Sequence, residues 1–117
     1  MAERRKLTRR KFSYYMRVMN DDTGEMLGHL ADISTGGFKL ESQLQLPLNS
    51  NYNLRLDLSS DIASKDFMVF TARSRWIQPD HITPNLYNVG FQIVHMDAGD
   101  LQVFLHMFEK YGSEGKV

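Results

Sequence analysis

Two short stretches carry side chains whose types and spacing can do chemistry. The first, "ERRKLTRRK" at residues 3–11, sets Arg5 and Arg9 four apart with Arg4 and Arg10 beside them. A guanidinium is a planar fork that donates two parallel hydrogen bonds to a phosphate, and charge-assisted bonds of this kind are worth about 1.5–3 kcal/mol each. The same fork stacks on bases and reaches the O6 and N7 acceptors of guanine. The second stretch, "DISTGGFKL" at residues 32–40, places Asp32 and Ser34 two apart, just ahead of Gly36 and Gly37. On an extended chain two such side chains point the same way, and polar groups beside bare backbone can receive a small polar ligand. Each stretch also has a plain structural reading. An arginine cluster can be a disordered basic tail, and a double glycine can merely permit positive φ in a hairpin whose Asp and Ser cap local backbone.

Catalysis and metal chemistry find little support. His29, Asp32 and Ser34 look superficially like parts of a triad. Strict strand alternation, however, sets His29 on the opposite face from Asp32, which makes a relay awkward. His29, His81, His95 and His106 show no metal-ligand spacing, and the absence of cysteine removes thiolate sites and disulfides alike. The chain reads as a binding module rather than an enzyme, with no cofactor and no metal.

The net charge of zero hides an asymmetry. Residues 3–11 carry six basic side chains and one acidic, a net of +5, which leaves eight basic against thirteen acidic elsewhere, a net of −5. One short arm therefore concentrates the positive field and attracts anions: phosphates, nucleic acid or an acidic partner surface. Little apolar material anchors it, so the arm is expected to be mobile when free. A chain of 117 residues with 42% hydrophobic content suits one domain with a real core. No stretch approaches the roughly 20 apolar residues of a membrane span, and a soluble cytoplasmic domain is the expectation.

Behind the two stretches stand the elements that must position them. "FSYYMRV" alternates Phe12, Tyr14, Met16 and Val18 as a first strand. Turn residues at 20–24 lead to "MLGHLADI", and Phe38 and Leu40 begin a third strand beyond the glycines. Tyr52, Leu54, Leu56 and Leu58 give the cleanest alternation. "FMVFTARSRWIQ" sets Met68, Phe70, Ala72 and Trp76 on one face, with Arg73 and Arg75 on the other as solvated charges or as help for a bound phosphate, and Val89, Phe91 and Ile93 form a sixth strand. The period then changes: Asp97 is a good N-cap, and Leu101, Phe104, Leu105 and Phe108 make a helical stripe that Gly112 ends. These elements predict a mainly β fold, a six-stranded antiparallel β-barrel with a C-terminal α-helix lying across an open end. The boundaries are a basic arm at 1–11, barrel and helix at 12–112, and a frayed tail at 113–117.

Arg5-x-x-x-Arg9 before the first strand, together with Asp32-x-Ser34-x-x-Gly37 between the second and third, resembles the PilZ domain family. The resemblance covers nearly the whole chain, including the Trp-bearing strand, the closing "VGFQIVHMD" and the terminal helix. It implies a six-stranded split barrel that binds the bacterial second messenger cyclic di-GMP. On that implication the arginines pair with phosphates and guanine Hoogsteen edges. Asp32 accepts from a guanine's N1–H and exocyclic amine, Ser34 bonds beside it, and Gly37, lacking Cβ, lets backbone approach the ligand. Arg4 fits the extra arginine often found before the motif, and either Arg9 or Arg10 makes the inner contact. Trp76 either flanks the purines or packs in the core beside Phe70 and Ala72.

The dianionic ligand would pin the arm and so alter binding to an unidentified downstream protein in trans. The family suggests motility, pilus function or exopolysaccharide production as the controlled process. Two other readings remain: a small barrel gripping single-stranded nucleic acid through the arm, disfavoured by the acids Asp57 and Asp66 on exposed strand faces, and a PilZ-type protein adaptor, disfavoured by two intact motifs.

Overall fold

Alternation of apolar and polar residues builds a closed β-structure in the computed structural model, which describes residues 10–11, 16–34, 36–58 and 63–111. The strands are β1 (Arg10–Lys11), β2 (Arg17–Asn20), β3 (Met26–Ile33), β4 (Gly37–Ser42), β5 (Asn51–Asp57), β6 (Phe67–Pro79) and β7 (Tyr87–His95), and the helix α1 spans Ala98–Tyr111. Every pairing is antiparallel. The order β3-β2-β5-β6-β7-β4 closes when β4 returns to pair with β3, giving the expected six-stranded antiparallel barrel with a C-terminal helix. The two residues of β1 add to β3 alongside β2, so Arg10 and Lys11, inside the segment the sequence assigns to the arm, are paired in the sheet. None of the helices among the described residues is long and apolar enough to cross a membrane.

Inward-facing residues fill the barrel. Val18, Leu30, Ile33, Leu40, Leu54, Leu56, Met68, Ala72 and Val89 are all at most 4% exposed. β5 keeps the alternation its sequence shows, with Leu54 and Leu56 buried and Tyr52 and Leu58 packed at the margin. The β2–β3 turn is fixed by Asn20, whose Oδ1 accepts from the Asp22 amide at 2.8 Å. Gly24 stands at φ 79°, a conformation open to glycine at little cost.

Two β-bulges shift faces that strict alternation assigns otherwise. In β3 the register slips between Leu30 and Asp32, so that His29 pairs with Glu41 and Asp32 with Lys39. Glu41 and Lys39 lie two apart on β4, which returns His29 and Asp32 to the same face and corrects the expectation of opposite faces. In β6 the register slips between Ser74 and Trp76. Met68, Phe70, Ala72 and Ser74 face inward, and after the extra residue Arg75 the tryptophan emerges outside. Trp76 is half-buried and does not belong to the core cluster, so the reading that packs it beside Phe70 and Ala72 is corrected.

The helix starts directly after Asp97, as expected: the Asp97 backbone carbonyl accepts the first helical bond, from the Leu101 amide at 2.8 Å. Its buried stripe is Phe104, Met107 and Phe108, which join the barrel core, while Leu101 is 37% exposed. The expected stripe is thus rotated by about a residue, with Met107 taking the place given to Leu101. Asp100 is buried at the same end, where its Oδ1 accepts from Lys65 Nζ at 2.6 Å.

Candidate functional site

The hairpin joining β3 to β4 holds the Asp-x-Ser-x-x-Gly motif. Ile33 is wholly buried in the core, so its neighbours Asp32 and Ser34 point to the barrel's outer face, as the two-residue spacing predicts. Each is nevertheless only 8% exposed. The Ser34 amide donates to the Gly37 carbonyl at 2.9 Å, and the Ser34 hydroxyl donates to the same oxygen at 3.3 Å. The Gly36 carbonyl accepts from the Ile93 amide at 3.0 Å, which ties the hairpin to β7.

The glycines differ in what they need. Neither Gly36 nor Gly37 stands at positive φ. A Cβ at Gly36 would meet open space, whereas one at Gly37 would collide with the Phe91 carbonyl. Gly37 is therefore demanded by the close approach of β7, a reason independent of any ligand.

Register carries the motif outward across the sheet. Asp32 pairs with Lys39, Lys39 with Gly90, and Gly90 with Trp76. These four positions form one row on the outer face of β3, β4, β7 and β6, spanning three interstrand steps, about 14 Å. Lys39 Nζ lies 3.2 Å from Asp32 Oδ2, and the two side chains are 24% and 11% exposed. At Gly90 a Cβ would overlap the indole of Trp76, so the ring sits over bare backbone. In the adjacent row Gly37 pairs with Gln92 and Gln92 with Arg73, and Arg73 Nη1 donates to Asn51 Oδ1 at 3.2 Å.

On the other side of the motif, β1 pairs Arg10 with Ile33 and Lys11 with Asp32. The backbone at the end of the arginine stretch thus runs directly against the Asp32 turn. Arg4, Arg5 and Arg9 lie outside the described residues, and Arg10 is described through its backbone alone. The structure gathers Asp32, Ser34 and Gly37 on one hairpin, brings Trp76 into the same row two strands away, and leaves Gly36 exposed at the tip.

Sequence reading passes over Lys39 and Gly90. Lys39 becomes visible only when the hairpin is paired, seven residues after its partner. Gly90 stands in "NVGFQIV", where a glycine interrupting an alternating strand signals a close approach from outside.

The outer face elsewhere is different. His29 sits by Glu41 and lines, with Met26, Gly28, Gln43, Leu44 and Leu86, a recess of about 310 Å³. Burial pushes its pKa below the ordinary 6.5, opposed by Glu41 and reinforced by Arg17. Among the described residues no group of three or more His, Cys, Asp or Glu side chains could hold a metal.

Comparison with known proteins agrees with this architecture. The barrel superposes on the PilZ domain of YcgR from Escherichia coli, solved with c-di-GMP, at a TM-score of 0.68 and 13% identity, covering 93% of this chain and 92% of that one. It is similar to the Bacillus subtilis inhibitor of motility (MotI/DgrA) at a TM-score of 0.68 and 18% identity, covering 93% of this chain and 51% of that one. For the K. pneumonia MrkH–c-di-GMP complex the TM-score is 0.68 and the identity 18%, with 92% of this chain and 52% of that one covered. This chain thus spans about half the length of MotI/DgrA and of MrkH. No curated protein matches it by sequence. The family model for the PilZ domain matches residues 3–110, taking in the arginine stretch, the hairpin motif, every strand and nearly all of the helix, and the chain belongs to that family.

Proposed function

We propose that this chain is a cyclic di-GMP receptor that signals to a partner protein, and that the outer row from Asp32 to Trp76 is its ligand platform. The observation that carries the reading is the pairing of β1 with β3, which delivers the end of the arginine stretch to the Asp32 turn. Two weak motifs far apart in type become one surface. A ligand with two phosphates and two guanines matches it: guanidinium forks for phosphates and Hoogsteen edges, a carboxylate for N1–H and the exocyclic amine, and an indole face for a purine. Family membership and the c-di-GMP bound to the similar PilZ domain of YcgR support the same choice.

On this reading Arg4, Arg5, Arg9 and Arg10 clamp the ligand, Asp32 and Ser34 hold a guanine at the hairpin of Gly36 and Gly37, and Trp76 flanks a purine. Binding neutralises the like charges of the arm and orders it against the barrel, which changes the surface offered to the partner. The chain acts as a receptor and not as an enzyme. Calorimetric titration with cyclic di-GMP tests this. Saturable binding that weakens only modestly with salt supports the reading. Absence of binding, or a steep salt dependence with single-stranded nucleic acid binding in its place, overturns it.

A further inference from the structure

Resting on that receptor reading, we infer that Lys39 is a specificity residue that reads the O6 atom of the guanine held by Asp32. The ammonium sits 3.2 Å from Asp32 Oδ2. Its root is fixed, because Phe38 and Leu40 on either side of it are buried in the barrel. On the side away from Asp32 its cross-strand neighbour is Gly90, which offers no side chain. The charged head therefore has a carboxylate on one flank and, on the other, the Trp76 indole seated over the side-chain-free Gly90.

Guanine presents three groups in line: the O6 acceptor, the N1–H donor and the exocyclic amine. A carboxylate can accept from the last two, but this sets one of its oxygens beside O6, acceptor against acceptor. An ammonium has three donors and no acceptor. Held at Oδ2, it has donors left to bridge that oxygen and O6, which turns a repulsion into two charge-assisted bonds. Asp32 and Lys39 together complement the whole edge. Adenine reverses the pattern, placing an amine against the ammonium and an unprotonated N1 against the carboxylate. Groups walled in this closely make an unmatched contact costly, so the pair rejects adenine.

Calorimetry on the full chain tests this with two ligands: cyclic di-GMP, and its analogue carrying 6-thioguanine, which keeps N1–H and the amine and replaces O6 with a poor acceptor. The wild type should prefer the oxygen ligand by about tenfold, the value of one good hydrogen bond to a charged group. Lys39→Met should bind cyclic di-GMP about tenfold more weakly and lose the preference for oxygen over sulfur, and Lys39→Arg should keep part of both. Should Lys39→Met fail to fold, Lys39→Leu, which likewise carries no donor, reads the same ratio. A Lys39 that only neutralises Asp32 would weaken both ligands alike and leave the preference intact, which overturns the inference. Unchanged or tighter binding of cyclic di-GMP by the variant overturns it as well. A wild type that binds neither ligand removes the receptor reading itself, a separate outcome from the loss of the oxygen preference.

Discussion

Two rows of residues run side by side across the same four strands, one step apart in register, and they obey different rules. The inner row is Ile33, Phe38, Phe91 and Ser74; the outer row is Asp32, Lys39, Gly90 and Trp76. Inside, volume is filled: all four are at most 6% exposed, and Phe38 and Phe91 stack with centroids 5.2 Å apart and planes 11° from parallel. Even the polar member is satisfied, since the Ser74 hydroxyl donates to the Pro47 carbonyl at 2.8 Å. Outside, one position carries no side chain, one carries a buried carboxylate, one a cation and one an aromatic ring seated over the bare position. A sheet surface built only for solubility needs none of these in that order. The inner row holds the backbone in place, and that rigidity fixes the spacing at which the outer row presents its groups.

The sharpest way to break this division is to empty the inner row. Phe91→Ala should destabilise the barrel by about 3–5 kcal/mol, read as a large fall in melting temperature. A mild effect would mean that the stacked pair is not what fixes the strands.

Gly90→Val tests the join between the rows. Its side chain would displace the Trp76 ring from the outer face, with an overpacking cost of about 1–3 kcal/mol. Tryptophan emission should shift and cyclic di-GMP affinity should fall together. A folded variant with unchanged emission would show that the ring does not depend on the bare backbone beneath it.

In the outer row, and in the arginine stretch proposed to clamp the ligand there, function should outweigh stability. Arg5→Ala, Arg9→Ala and Asp32→Ala should each weaken cyclic di-GMP binding at least tenfold, on the order of 1.4 kcal/mol. Asp32→Ala removes the buried charge together with its bond and leaves the Lys39 head, 24% exposed, a path to water, so its stability cost should be about 1 kcal/mol. A large drop in melting temperature with intact binding for Asp32→Ala would return the turn to a structural role.

The smallest expected effect lies on the outer face beyond the row, at His29. Burial lowers its pKa below 6.5, so the unfolded chain takes up a proton before the folded one does. Stability should therefore fall as the pH drops from about 6.5 toward the lower folded value, and then level off. His29→Gln should flatten that slope in pH-dependent thermal melts. An unchanged slope would assign the titration to another group.

Much of this was legible in the residues. The alternation of Leu54 and Leu56, the shared face of Asp32 and Ser34 and the cap at Asp97 each follow from local period and side-chain chemistry. What escaped depends on pairing. A bulge is a property of two strands, so the slips beside Asp32 and before Trp76 leave no mark in either strand alone, and each moves later residues to the other face. Lys39 joined the site through cross-strand register, and Met107 entered the core because the helix meets the barrel at an angle its own periodicity does not set. The arginine stretch was read from charge and spacing, and only the β1–β3 pairing connects its end to the turn.

The most direct test of the outer row as ligand platform is a two-dimensional NMR titration of the labelled chain with cyclic di-GMP. Shifts should concentrate in the amides of Asp32, Ser34, Gly37, Lys39 and Gly90 and in the indole N–H of Trp76, with those of the arm, while the amides of Leu54, Leu56 and Phe104 stay in place. Perturbations gathered instead around α1 or the His29 recess, with the row unmoved, would contradict it.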